Sequence, residues 1–154
     1  MGSASGDSEQ RGLNEVIGSL FHKAKLQMVV LPEMEQQCCG LPFSSKGATA
    51  AAEQSLRRLE QALWEATEQG ALPVLCDASP CTARMVEQFT RPIQLFDSVQ
   101  FALQQLIPRL QQSQQLEQIA LHIPCSARKQ GLEPLFLELA QRCAKQVFQP
   151  EEEG

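Results

Sequence analysis

Leu72-Pro73-Val74-Leu75-Cys76-Asp77-Ala78-Ser79-Pro80-Cys81 is the stretch that decides the fold. Residues 72–76 are mostly apolar and read as a short buried strand. Asp77-Ala78-Ser79-Pro80 turns the chain. A helix then runs from about Pro80 to Phe89, with proline in the first turn, where its missing N–H leaves no bond unmade. Upstream, residues 48–69 read as a long helix with Ala52, Leu56, Leu59, Leu63 and Ala66 on one stripe, closed by Gly70 as a C-cap. Helix, strand, turn and helix in succession are the unit of an α/β protein.

Working outward, residues 12–25 read as a helix with Leu13, Val16, Ile17, Leu20, Phe21 and Ala24 at helical spacing. Gln27-Met28-Val29-Val30-Leu31 reads as a strand ended by Pro32, and 33–47 as a loop. Downstream, Ile93-Gln94-Leu95-Phe96 reads as a strand. Asp97 or Ser98 caps a helix that turns Val99, Leu103, Leu106, Ile107 and Leu110 inward. Residues 111–117 are a glutamine-rich connection. Gln118-Ile119-Ala120-Leu121-His122-Ile123 reads as a strand and Pro124-Cys125-Ser126-Ala127 as a loop. A helix over 128–144 buries Leu132, Leu135, Phe136, Leu139 and Cys143, and Lys145-Gln146-Val147-Phe148 reads as a last strand. The expected architecture is a three-layer α/β sandwich: a mainly parallel sheet of four to five strands with helices on both faces.

The chain has 154 residues, 43% of them hydrophobic and 20% charged, which suits one soluble domain. That domain is expected over 12–150, between a disordered or expression-derived tail (1–11) and a second tail (151–154). A net charge of −5 argues against nucleic acid, whose phosphates need a positive surface. No apolar run is long enough to span a bilayer, and the start lacks the apolar segment of a secretory signal. A reducing, cytoplasmic setting is expected. There, cysteines more often bind metal or do redox work than form structural disulfides.

The cysteines are Cys38, Cys39, Cys76, Cys81, Cys125 and Cys143. Parallel strands send their outgoing loops to one edge of the sheet, where α/β proteins usually bind ligands. On this reading Cys38, Cys39, Cys76, Cys81 and Cys125 emerge together at that edge, as candidate metal ligands. Soft thiolates suit zinc or an iron–sulfur cluster, and helix N-termini there would favour their negative charge. Cys143, on an apolar helix face, reads as packing. His122 reads as a core histidine rather than a ligand, and His22 as a surface residue. Ser44, Ser45 and Lys46 are candidates for an anion or cofactor contact, beside the equal reading of a solvated loop. Arg128 and Lys129 face an anionic group or water. No GxGxxG follows the first strand, and no Ser/His/Asp or Cys/His nucleophile has supporting context.

Three motifs stand in order: Cys38-Cys39-Gly40-Leu41-Pro42-Phe43-Ser44-Ser45-Lys46-Gly47, then Cys76-Asp77-Ala78-Ser79-Pro80-Cys81-Thr82, then His122-Ile123-Pro124-Cys125-Ser126-Ala127-Arg128-Lys129. Together they resemble the cysteine-rich CCG domain of the iron–sulfur part of FAD-linked D-lactate dehydrogenases. The same domain occurs in glycolate oxidase iron–sulfur subunits and heterodisulfide reductase B subunits. The resemblance implies a tandem repeat in which Cys38 and Cys39 are the first CCG pair. Cys81, with Cys76 nearby, belongs to the later motif of that half, and Cys125 opens the second half. It also implies a [4Fe–4S] cluster in the intact parent and FAD on another domain. Electrons would pass from that flavin domain to a quinone or cytochrome acceptor, in the cytoplasm or peripherally at an inner membrane. The family's first early cysteine has no counterpart here, and its second CCG is expected just past Gly154, so the chain reads as the middle of a larger protein. The alternatives are a non-catalytic interaction domain with reduced structural cysteines and, third, a zinc site.

Overall fold

A computed structural model describes residues 12–31, 33, 36–111 and 114–150. The expectations for the two tails and for the stop at Pro32 lie outside the described residues. The helices are α1 (Leu13–Lys23), α2 (Leu41–Ser44), α3 (Thr49–Ala66), α4 (Ser79–Gln88), α5 (Ser98–Phe101), α6 (Cys125–Lys129) and α7 (Glu133–Cys143). The strands are β1 (Val74–Cys76), β2 (Leu95–Asp97), β3 (Leu116–Ala120) and β4 (Ala144–Phe148). The α/β class is as the sequence predicts, and both strand pairs are parallel. The strands are divided, however, between two small sheets, β1–β2 and β3–β4, rather than joined in one.

The β1–β2 pair organises the first half. Its residues alternate between faces, so Val74, Cys76 and Leu95 join one apolar cluster while Leu75 and Phe96 join another. The first cluster holds Leu56, Leu59 and Leu63 of α3 and Met85 of α4. The second holds Phe21 of α1 and Phe101 of α5, whose rings stack 5.4 Å apart. This pair is therefore covered by helices on both faces, as a three-layer sandwich requires. Each fully buried leucine contributes on the order of 1.5–3 kcal/mol.

The caps explain where the helices begin. Asp97 closes β2 and caps α5: its carboxylate accepts from the Val99 N–H, while Gln100 accepts from the Asp97 N–H. Beyond α5 the helix loosens into a π turn over Ala102–Leu106 and a 3₁₀ turn over Ile107–Arg109. Pro108 explains this, since its ring clashes with a preceding carbonyl and it has no N–H to donate.

Three expectations are corrected. Residues 27–31 run extended but pair with no strand among the described residues, and Val29 is 78% exposed. A cleft of about 540 Å³ lies between this segment and Val74 and Leu75 of β1. A ladder needs strands only about 4.8 Å apart. The expected helix over 128–144 is two helices, because Gly131 takes a φ of +70° and Pro134 starts α7 afresh. Cys143 and His122 are both exposed rather than in the core. The buried stripe of the second half runs through Leu132, Phe136, Ala140 and Ala144 at four-residue spacing, leaving Cys143 beside it. His122 lies just past the end of β3.

Candidate functional site

The site is built where β1 ends. Cys76 is its last residue and pairs with Asp97, the last of β2. Three residues further on, α4 begins at Ser79 with proline in its first turn, which places Cys81 there too. The Ser79 hydroxyl donates to the fully buried Asp97 carboxylate, tying the start of α4 to the end of β2. The chain crossing this end from the other side carries Cys38 and Cys39.

Two contacts hold that crossing chain in place. Gly40 adopts a φ of +81°, and a Cβ there would lie 2.3 Å from the Ala52 carbonyl oxygen of α3. Glycine alone allows both the left-handed conformation and the close approach. Arg84, one turn along α4 from Cys81, donates from Nε to the Cys39 carbonyl at 2.8 Å. The same guanidinium reaches the Ser44 hydroxyl at 3.3 Å.

Two of the sulfurs meet as a result. Cys39 Sγ donates to Cys81 Sγ at 3.2 Å. The Gly40 N–H donates to Cys38 Sγ at 3.3 Å. Cys76 Sγ donates to the Ala78 carbonyl at 3.7 Å. Cys39 is buried among Leu56, Leu59, Leu63 and Met85, while Cys38, Cys76 and Cys81 are half-buried. The Cys81 thiol is pushed up to about 12, first by burial, then by its bond with Cys39 and the fields of Cys39, Cys76 and Cys38. Cys81 lies in the first turn of α4, where the helix end by itself would favour a thiolate. Desolvation and neighbouring sulfurs outweigh the partial charge of the helix end.

The donor type suits iron–sulfur or zinc chemistry, but the spacing of one sulfur pair is tighter than a shared ion allows. A tetrahedral ion with bonds of about 2.3 Å holds its sulfurs about 3.8 Å apart. The Cys39–Cys81 separation of 3.2 Å is shorter. Among the described residues, no three His, Cys, Asp or Glu side chains are grouped to hold a metal ion. Metal binding therefore needs the pair to lose protons and spread.

The remaining candidates fall elsewhere. Cys125 opens α6 and is exposed. That helix packs against α4, and Gln130 donates to the Ser79 carbonyl at 3.0 Å. Cys125 is not among the thiols acting on Cys81. Ser44 and Ser45 donate to the Leu41 and Pro42 carbonyls within the turn of α2, and Lys46 is exposed beside them. Lys129 is exposed in the last turn of α6, and Arg128 lies beside it.

Sequence reading missed Arg84 as the residue that seats Cys39. Its signal was position: it lies three residues after Cys81, on the same helix face. It also missed Glu60, buried in the stripe of α3. This carboxylate accepts from the Arg91 N–H at 2.8 Å, the Arg57 guanidinium at 2.9 Å and the Thr90 N–H and hydroxyl. A charge four residues after Leu56, on an otherwise apolar stripe, was the available sign.

A family model described as a cysteine-rich domain, CCG, matches residues 4–86. No curated protein and no solved structure matches the chain. The matched span includes Cys38, Cys39, Cys76 and Cys81 and stops before Cys125.

Proposed function

We propose, since this chain belongs to the cysteine-rich CCG domain family, that its first half is the thiol site of an iron–sulfur-type redox module. The parent would be an FAD-linked dehydrogenase of D-lactate or another 2-hydroxy acid. In that role the module relays electrons from a flavin domain to a quinone or cytochrome, and this chain alone turns over no substrate. The supporting observation is the contact of Cys39 with Cys81 at the end of β1, with Cys38 and Cys76 near enough to act on the Cys81 thiol. After deprotonation these four would hold the cluster, and a bound cluster supplies one-electron transfer. Cys125 would serve a second set, consistent with its distance from this one in the chain. Ser45 and Lys46 are exposed on the turn beside the thiols. With Ser44 they would meet a cofactor or partner approaching there. Among the described residues, no helix is long and apolar enough to cross a membrane. The module would work in the cytoplasm or against a membrane surface.

A second reading has its own support. Cys39 packs in the core with three leucines and a methionine, as a structural cysteine of an interaction domain would. Anaerobic purification, with iron, zinc and acid-labile sulfide measured beside the visible spectrum, separates the two. Stoichiometric iron and sulfide, lost in Cys39→Ser and Cys81→Ser, supports the redox module. A colourless, metal-free, folded protein that takes up neither iron nor zinc under reducing conditions supports the interaction domain.

A further inference from the structure

Cys39 and Cys81 are 42 positions apart in sequence, and their sulfurs lie 3.2 Å apart. A disulfide needs about 2.05 Å, so a closure of about 1.2 Å joins them. Arg84 holds the Cys39 carbonyl at 2.8 Å and belongs to the helix that carries Cys81. One side chain thus ties the two cysteine-bearing segments together. The separation is too short for a shared metal ion and suits sulfur–sulfur chemistry.

We propose that Cys39 and Cys81 form a reversible disulfide, a covalent redox site within the thiol cluster. The oxidant is a peroxide. One sulfur attacks a peroxide oxygen, the O–O bond breaks, and a sulfenic acid forms as one water leaves. The other sulfur attacks the sulfenic sulfur, and the second water leaves. Two thiols and one hydrogen peroxide give one disulfide and two waters. Each sulfur loses one electron, and the peroxide gains both. Cys81 is half-buried and Cys39 buried, and the step is the same whichever of the two sulfurs attacks first. The pairing follows from proximity rather than from thiolate reactivity. It rests on the reading of these thiols as a redox site and adds which two of them pair. The closed form cannot offer either sulfur to a metal until it is reduced.

The test oxidises the reduced, metal-free full chain with hydrogen peroxide. The remaining thiols are then alkylated, and non-reduced fragments are mapped by mass spectrometry after tryptic cleavage and cleavage at Asp77, which parts Cys76 from Cys81. The expected product is a cross-link between the fragments of Cys39 and Cys81, released by dithiothreitol. It persists in Cys38→Ser and in the Cys125→Ser/Cys143→Ser double variant, and it is lost in Cys81→Ser. Arg84→Ala slows its formation several-fold. Recovery of Cys39 and Cys81 as alkylated thiols overturns the proposal. So does a bridge to Cys38 or Cys76, or loss of the cross-link in Cys38→Ser. A chain that loads iron when reduced but never forms this cross-link overturns the disulfide alone. A chain that forms it but loads nothing overturns the cluster reading alone.

Discussion

The two halves of this chain use the same parts and treat their cysteines in opposite ways. In each, a strand is followed by helical structure and then by a parallel partner strand. Around β1–β2, helices cover both faces and Cys39 and Cys81 are drawn into contact. Around β3–β4, most strand residues are exposed, and Cys125 and Cys143 stand apart in water. Strand order alone therefore does not make a thiol site. What differs is enclosure. Gly40, Arg84 and Asp97 pull a loop, a helix and two strand ends together in the first half.

The contrast is broken most forcefully at glycine. Gly40→Ala sets a methyl 2.3 Å from a backbone oxygen at a φ of +81°. It is expected to cost more than about 3 kcal/mol and to disperse the thiols. Gly131→Ala, at a similar φ but in open space, is expected to cost only about 1–2 kcal/mol. Urea unfolding of both variants measures the gap, and equal losses would remove the distinction between the halves.

Glu60 comes next. Burial works to raise its pKa, but bonds from Arg91, Arg57 and Thr90 outweigh this and hold the carboxyl below its ordinary value. A depressed folded pKa adds stability above the unfolded value of about 4.3, and that stability is lost as pH falls through the lower folded value. Glu60→Gln is expected to cost roughly 2–3 kcal/mol at neutral pH. It should also flatten the parent's expected loss of stability as pH falls below about 4.3, read from urea midpoints.

A gentler probe compares thiol reactivity. At about pH 8, iodoacetamide should label Cys125 and Cys143 well before Cys39 and Cys81. The Cys81 thiol, pushed up to about 12, should react about tenfold faster per pH unit as the solution grows more basic. Mass spectrometry of timed samples reads both. Smallest of all is Lys145→Ala, which removes an exposed pair with Glu117 at 2.7 Å. It should change stability by no more than about 0.5 kcal/mol.

Much of the first half was legible because its signals are local. The Leu56, Leu59 and Leu63 stripe, the helix start near Pro80 and a cap at Asp97 or Ser98 each depend on near neighbours, and the structure gives Ser79 and Asp97. The grouping of Cys76 with Cys81 at the end of β1 was also legible, from the direction in which the chain leaves a strand. Cys38 and Cys39 were placed there by a strand at 27–31 that pairs with none among the described residues, and Gly40 and Arg84 seat them instead. Residues 27–31 were not legible, because an apolar run states that burial is favourable but not that an edge is within reach. Cys125 was placed with the others by the same edge argument. That argument assumed one sheet, and β3 belongs to another. The upward push on the Cys81 thiol was beyond sequence altogether, since it follows first from burial and then from which sulfurs lie near.

The central claim is that Cys38, Cys39, Cys76 and Cys81 act as one redox site and that the second half stands outside it. Anaerobic loading with iron and sulfide, compared between Cys81→Ser and the Cys125→Ser/Cys143→Ser double variant, tests it most directly. The expected result is near-complete loss of bound iron and visible absorbance in the first and retention of both in the second. Retention in Cys81→Ser with loss in the double variant would contradict the claim.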